Sequence, residues 1–414
     1  MLRINNLYQS IISVENLLRA DQNARRGKLK QYGVQAHDKN RVQNIDNLHH
    51  LLVNMDFRTS EYKVFTVYEP KERIVYKLPY YPDRIVHHAI MNVLEPIFIS
   101  HYNADTYACI KGRGIHSAAN KLRKALRDVS STKYCLKLDI RKFYPSVDHD
   151  VLKGLLRRKF KDKDLLYLLD EIIDSAPGLP IGNYLSQYLA NYYLSNFDHW
   201  IKQDLRVKYY FRYADDMVIL SQSKPQLHAI LHQIKCQLEL LKLEVKGNYQ
   251  VFPVKSRGID FIGYKFFHTH TLLRKSIKQR FVKAVRANKS QQTIAAYIGW
   301  AKHCDSNHLL KTILGMKAFN ELNIDRPTMG GLQGDKIKIE RLLNRKIVVE
   351  KFTIGPSKQY QGQEYLSIQL LLGEQRHVVF TGSKGLIQQI KQVPETDFPF
   401  QTTIINEDRV LMFT

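Results

Sequence analysis

Four cysteines in 414 residues, Cys109, Cys135, Cys236 and Cys304, stand too far apart to make a CxxC pair, and no HExxH run is present. Those absences argue against a zinc site and a disulfide framework, and they suit a reducing cytoplasm, the expected compartment. No apolar run approaches the roughly 20 residues that cross a bilayer. The opening MLRINNLYQSIISVENLLRADQNARR lacks the unbroken apolar stretch and cleavage site of a secretory leader. A soluble, internal protein with no membrane partner is therefore expected. Internal repeats and low-complexity tracts are missing as well, so the chain reads as globular throughout.

What the sequence does hold is positive charge. Sixty-three Lys and Arg face 39 Asp and Glu, a formal net charge of +24 and a pI near 9.7. An excess of that size points to a polyanion, of which nucleic acid is the commonest. The 24 Tyr and 18 Phe add rings on which bases and sugars stack. At 44% hydrophobic, the chain can bury cores for two or three domains.

Along the chain, residues 1–60 read as a helical, basic extension with Arg19, Arg25, Arg26, Lys28 and Lys30 clustered in it. That cluster suits RNA contact or a solvated helix face equally well. Two β-like runs, VFTVYE and RIVYKLP, precede DRIVHHAIMNVLEPIFISHY, whose helical spacing closes near Pro96. KYCLKLDI is a short strand, residues 150–174 are helical, and the break APGLPIGN leads into the helix SQYLANYYLSNFDHWI. KYYFRY and MVILSQS form a hairpin around Ala214, Asp215 and Asp216, followed by a helix over about 224–242 and strands ending in GIDFIGYKFF. Residues 275–323 are expected to be helical, with Lys278, Lys283 and Arg286 on one basic side and Ile277, Phe281 and Val285 on the other. After RPTMGGLQGD the pattern turns to alternating strands, so a boundary is placed near 330 with a small β-rich module beyond it.

The acids carry the chemistry. Asp215 beside Asp216 at a hairpin turn between apolar strands places two repelling carboxylates where a sheet has no use for them. A divalent cation resolves that conflict, because Mg²⁺ takes oxygens from one or two carboxylates plus substrate phosphates. Asp139, at the end of KYCLKLDI, would lie beside them in an antiparallel pairing. Three such acids can hold two ions about 3.5–4 Å apart, one activating a hydroxyl and one stabilising pyrophosphate. An Asp-Asp pair alone is more often an ordinary exposed turn.

Its company makes the pattern specific. LDIRKFYPSVDH, GLPIGNYLSQYLANYYL, FRYADDMVIL and GIDFIGYKF resemble, in order and spacing, the palm motifs of reverse transcriptases, over roughly residues 60–330. The resemblance implies an α+β right-hand polymerase with a β-rich C-terminal module: extension 1–60, fingers and palm 61–270, helical thumb 271–330, module 331–414. It implies RNA-templated DNA synthesis, two Mg²⁺ ions with Mn²⁺ as an alternative, and RNA template, primer and dNTPs as partners.

Carried over by position, Asp139 and Asp215 would share both ions, Asp216 would support them, and Ile140 would offer only its backbone carbonyl. Tyr144 resembles the steric gate that rejects a 2′-hydroxyl. KERIVYKLPYYPDRIVHHAI is similar to the fingers segment of group II intron enzymes, which gives Lys71, Arg73 and Arg84 the triphosphate. Arg113, in IKGRGIHSA, would meet template or nucleotide unless its glycines merely fix a turn. Tyr213 belongs to the YADD box. Gly258 and Gly263 match the primer-grip hairpin, where turn duty alone is the plain alternative. Lys278, Lys283 and Arg286 would track the template–primer duplex.

The third box departs from the common Gln-Gly/Ser-Pro form, with Ile181, Gly182, Ser186 and Gln187 instead. That form is similar to enzymes of diversity-generating retroelements and implies error-prone synthesis, with Ile181, Gly182 and Gln187 at the nascent pair. Lys246 is the candidate general acid toward pyrophosphate. The alternatives are a defence enzyme acting with a noncoding RNA, and an idle maturase-like RNA binder. A basic accessory protein would accompany the diversifying role. No RNase H acid set is visible, and Lys358, Lys384, Tyr360 and Phe380 suggest an OB-like single-strand binder.

Overall fold

The computed structural model describes residues 3–68, 72–314, 332, 334–356, 363–408 and 410–414. Lys71, Lys358, Tyr360 and the boundary expected near 330 lie outside them. The chain divides into two compact units, Met1–Gly315 and Met316–Thr414.

The first unit is built around a five-stranded sheet in the order Thr106–Tyr107, Tyr209–Tyr213, Asp216–Ser221, Tyr134–Asp139, Gln250–Pro253, antiparallel except at the first pairing. Its strands are β-branched and aromatic, and they bury Leu136 and Leu138 on one face and Cys135, Phe211 and Val218 toward the other. The helix Lys224–Glu239 buries Leu227, Ile230, Leu231, Ile234 and Leu238, spaced at three and four residues, against this sheet.

The helix expected to close near Pro96 instead runs Ile85–His101, straight through that proline. An interior proline costs about 3 kcal/mol. Burying Leu94 and Phe98 alone returns roughly 3–6 kcal/mol, so packing wins over propensity. The long helices read over 150–174 and 186–201 are each two: His149–Lys159 with Lys163–Asp174, and Tyr184–Tyr193 with Ser195–Gln203. Residues before 60 form four helices, and their basic cluster is partly spent inside the fold. Arg25 and Arg41 both bond the fully buried Asp21, which also accepts from Tyr80. Burial raises the Asp21 pKa, but the bonds from Tyr80, Arg25 and Arg41 outweigh it and hold the carboxyl below its ordinary range.

The stretch Ile259–Leu273 makes a separate three-stranded sheet, followed by the helices Lys275–Arg286, Gln291–Ala301 and Asn307–Leu314. The second unit is a six-stranded sheet with the unexpected helix Lys384–Ile390 packed through Leu386, Ile387 and Ile390. Its order runs from Asp335–Lys336 at one edge to Val410–Phe413 at the other, and among the described residues no pairing joins those edges. It is an open mixed sheet, not the closed OB-like barrel expected, because its strands return as hairpins around Lys346–Pro356.

Candidate active site

The strands Tyr209–Tyr213 and Asp216–Ser221 pair with Tyr213 opposite Asp216, leaving Ala214 and Asp215 as a two-residue turn. The neighbouring strand Tyr134–Asp139 pairs with Asp216–Ser221 so that Asp139 stands directly opposite Asp216. Residues 77 positions apart in sequence thus meet at one sheet edge. The Ile140 amide donates to the Asp215 carbonyl at 3.3 Å, fixing the turn against the end of that strand. Ile140 itself is buried.

The electrostatics are unfavourable by design of the fold. Burial, followed by the charge of Asp139, pushes the Asp215 carboxyl up to about 6. Burial also lifts Asp216 to about 6, against the pull of Lys137. Lys137 Nζ lies 3.3 Å from Asp216 Oδ2, while Asp216 Oδ1 is buried with no hydrogen-bond partner. The donor set therefore fits a hard divalent cation: clustered carboxylates, an orphaned oxygen and excess negative charge. Among the described residues no His, Cys, Asp and Glu group forms a ready metal cage. An open site is the usual form for Mg²⁺, which retains waters and substrate phosphates in place of protein ligands.

Lys246 is within reach of these acids. Its amide donates to the Asp139 carbonyl at 2.8 Å and its Nζ stands 3.9 Å from Asp139 Oδ2. Tyr144 begins a short helical turn, and its hydroxyl pKa is raised, by burial first and then by charges that include Asp215. Gly178 explains how that turn is held. Its φ is +61°, and a Cβ there would sit 2.5 Å from the Tyr144 carbonyl oxygen, which accepts from the Leu179 amide at 2.8 Å. Gly182 does the same for the exposed hairpin Lys63–Val67 and Arg73–Lys77: a Cβ would meet the Tyr76 carbonyl at 2.5 Å, and the Tyr76 amide donates to the Ile181 carbonyl. Arg73 is exposed on that hairpin, and its charge reaches Tyr144.

The other candidates have neighbours of their own. Arg84, Gly182 and Gln187 line a cavity that none of the three acids, Tyr144 or Arg73 enters. Arg113 donates through Nη1 to the Asn103 carbonyl and closes its own loop, the turn-fixing role. The space beside Gly258 is taken by the Phe267 ring and that beside Gly263 by Trp300, at 2.6 and 2.4 Å from a hypothetical Cβ, so packing within the chain accounts for both glycines. Lys278, Lys283 and Arg286 are exposed on a helix whose buried side is Phe281 and Ala284.

Two features escaped the sequence reading. Lys137 shares a strand face with Asp139 by simple alternation, which was the available signal. Arg212 gave none, because a charged residue in a strand reads as outward-facing. It is 0% exposed and forks onto the equally buried Asp198, at 2.8 Å from Nε and 2.5 Å from Nη2. Its Nη1 donates to Asn191 Oδ1 and, at 2.9 Å, to the Ala214 carbonyl. Ala214 has φ +53°, a left-handed conformation that costs an L-residue about 1 kcal/mol. The buried guanidinium thus pins the strained turn that carries Asp215.

Residues 69–266 match the family "Reverse transcriptase (RNA-dependent DNA polymerase)", and residues 333–414 match a domain of unknown function, DUF8468. The chain is 27% identical to the retron Ec73 reverse transcriptase of Escherichia coli over 282 residues, 62% of this chain and 84% of that protein. It is 24% identical over 181 residues to the group II intron-encoded protein LtrA of Lactococcus lactis subsp. cremoris, 41% of this chain and 29% of that one. Apo telomerase from Candida tropicalis aligns with TM-score 0.42 and 11% identity over 58% of this chain, which spans 56% of the telomerase chain. No helix among the described residues is long and apolar enough to cross a membrane. With the carboxylates at one sheet edge and the family match laid over the same strands, residues 69–266 form a reverse transcriptase (RNA-dependent DNA polymerase) domain.

Proposed function

We propose that the protein copies RNA into DNA by nucleotidyl transfer at Asp139, Asp215 and Asp216. The observation that carries this reading is the register: Asp139 faces Asp216 across paired strands, with Asp216 Oδ1 buried and unpartnered. Asp139 and Asp215, supported by Asp216 and the Ile140 carbonyl, would hold two Mg²⁺ ions. Bound there, the cations supply an activated primer 3′-hydroxyl and charge stabilisation for departing pyrophosphate. The chain's own groups do the rest. Tyr144 excludes a ribose 2′-hydroxyl, Arg73, with Lys71 beside it in sequence, grips the triphosphate, and Lys246 delivers a proton to the leaving group. The exposed Lys278, Lys283 and Arg286 bind duplex phosphates without sequence preference.

Extension of a DNA primer on an RNA template, with dNTPs and Mg²⁺, tests the reading. Asp215→Ala should lower the rate by about 10³-fold or more. Equal extension by both proteins removes the enzymatic role.

The finer assignment is error-prone synthesis in a diversifying retroelement. Ile181 supports it, since a short branched side chain replaces the amide that commonly braces the nascent pair. Ile181→Gln should reduce misincorporation several-fold in a single-nucleotide insertion assay. A wild-type error rate no higher than the variant's sinks it. The second reading is a defence enzyme working with a noncoding RNA, and genomic neighbours separate the two.

A further inference from the structure

Two alanines close to the acids share an uncommon backbone. Ala214, ahead of Asp215, has φ +53°, and Ala108, just past the edge strand Thr106–Tyr107, has φ +82°, with Cys109 following at +55°. Left-handed backbone is strained for residues with a side chain, and such strain persists only where the surroundings fix it. Thr106–Tyr107 runs parallel to Tyr209–Tyr213 with Tyr107 paired to Tyr213, so the two strained segments leave the same end of the sheet side by side. Backbone bonds tie them there: the Ala214 amide donates to the Tyr107 carbonyl at 3.5 Å, and the Ala108 amide to the Arg113 carbonyl at 3.2 Å.

Their carbonyls are held by side chains. Asn191, buried on the helix Tyr184–Tyr193, donates through Nδ2 to the Ala108 carbonyl at 3.0 Å and accepts through Oδ1 from Arg212 Nη1 at 3.1 Å. The same Nη1 donates to the Ala214 carbonyl at 2.9 Å. One unbroken run of bonds therefore leads from Ala108 through Asn191 and Arg212 to the turn that carries Asp215. Asp198 braces both ends of it, accepting from the Arg212 fork and, at 2.8 Å, from the Thr106 hydroxyl.

The chemistry of that run admits few side chains at its middle. A guanidinium only donates and a carbonyl only accepts, so the residue between them must accept at one atom and donate at another. A primary amide on a short stem does both. Leucine, of similar size, does neither, and would leave the carbonyl of the buried Ala108 without this partner. Cys109 sits near enough to Tyr144 and Tyr213 to bear on both hydroxyls, so a shift of Ala108 is felt on the side of the acids where Tyr144 stands.

We propose that Asn191 is a positioning residue for the ion site: it locks the Asp215 turn to the Ala108–Cys109 loop, and so sets where the Asp215 carboxylate stands relative to Asp139. The proposal rests on the reading of Asp139, Asp215 and Asp216 as ligands of divalent ions. Asn191 acts through backbone carbonyls and Arg212, and its role needs no contact with substrate. Without it the turn keeps its bond to Arg212, but Arg212 Nη1 loses its second acceptor and the neighbouring loop is no longer tied to the turn through side chains. Ion affinity and the chemical step should then weaken, while substrate binding, which uses other groups, holds.

Binding of Mn²⁺ to the full chain, read from the free-ion signal in electron paramagnetic resonance, tests this without synthesis. Asn191→Leu should weaken it about tenfold, the loss of one buried bond carried to one ligand. In primer extension kcat should fall by about the same factor, with the KM for dNTP within about twofold of the wild type. Leu189→Ala, in the core on the same helix, softens the packing without touching the run of bonds, and should leave Mn²⁺ affinity within about twofold. Wild-type affinity and kcat in Asn191→Leu overturn the proposal, and so does an equal loss in Leu189→Ala, which would mark a general loosening. Should Asn191→Leu melt early, Asn191→Ala is read the same way, since it sets no new apolar bulk against the guanidinium. Asp215→Asn, run alongside, separates the two failures. If it binds Mn²⁺ as the wild type does, the ligand reading fails and takes this proposal with it; if it loses binding while Asn191→Leu keeps it, this proposal alone fails.

Discussion

The two units of this chain manage charge in opposite ways. Residues 316–414 carry 13 Lys and Arg against 11 Asp and Glu, so nearly all of the +24 belongs to residues 1–315. The first unit also buries Asp21, Asp83, Asp198, Arg212 and His87, whereas the buried polar residues described in the second are Gln369, Thr381 and Thr402. The second unit is held by Leu366, Ile368, Leu370, Val379 and their neighbours, and its fold needs no internal charge. The lesson is that the first unit carries its internal charge in two forms, paired at Asp21 and at Asp198 with Arg212, and unpartnered at Asp83 Oδ2, His87 Nε2 and Asp216 Oδ1.

Breaking one such pair is the strongest challenge to that contrast. Arg212→Met leaves Asp198 buried among Tyr210 and Thr106 without its cation, and should destabilise the first unit by roughly 3–5 kcal/mol, read as protection loss in amide hydrogen exchange resolved by peptide. Peptides from residues 363–408 should keep their protection. Equal loss in both units would erase the distinction.

Acid sharpens it next. Burial pushes His87 down to about 3, against an unfolded value near 6.5. Between those values the unfolded chain binds the extra proton, so the contribution is whole above pH 6.5 and falls with pH by roughly 1 kcal/mol per unit. First-unit peptides should lose protection across that window, and a flat response there would show that His87 is solvated.

The smallest effect runs in the reverse direction. Asp215 has a raised pKa, so its ionised form opposes folding near neutral pH in the absence of cations. Asp215→Asn should therefore stabilise the metal-free protein by roughly 1 kcal/mol while abolishing synthesis. A lower melting temperature in EDTA would contradict the stored repulsion, and added Mg²⁺ should raise the wild type's melting temperature more than the variant's.

The central sheet and the acids were legible because alternation and turn chemistry are local signals, and Tyr134–Asp139 and Asp216–Ser221 carry them undiluted. The helix through Pro96 was not legible, since its persistence depends on burial that only the folded packing supplies. Arg212 was invisible for a related reason: its cost is offset by Asp198 and Asn191, partners 14 and 21 positions away on other helices. The glycines of the expected primer grip were assigned close approach to the primer end, and sequence could not say that the Phe267 and Trp300 rings fill the space beside them. Arg84 was given to the triphosphate and Gln187 to the nascent pair by resemblance, and the fold brings both to one cavity with Lys28 and His88, which local sequence could not show.

The loop around Gly178 and Gly182 has a further consequence. At one end its backbone locks to the Tyr144 turn, and four residues on it locks to Tyr76 on the Arg73–Lys77 strand. If Tyr144, Ile181 and Arg73 hold the roles proposed for them, sugar choice, base-pair scrutiny and triphosphate capture would be coupled through a single short tether. A substitution in residues 178–182 would then be expected to disturb all three together.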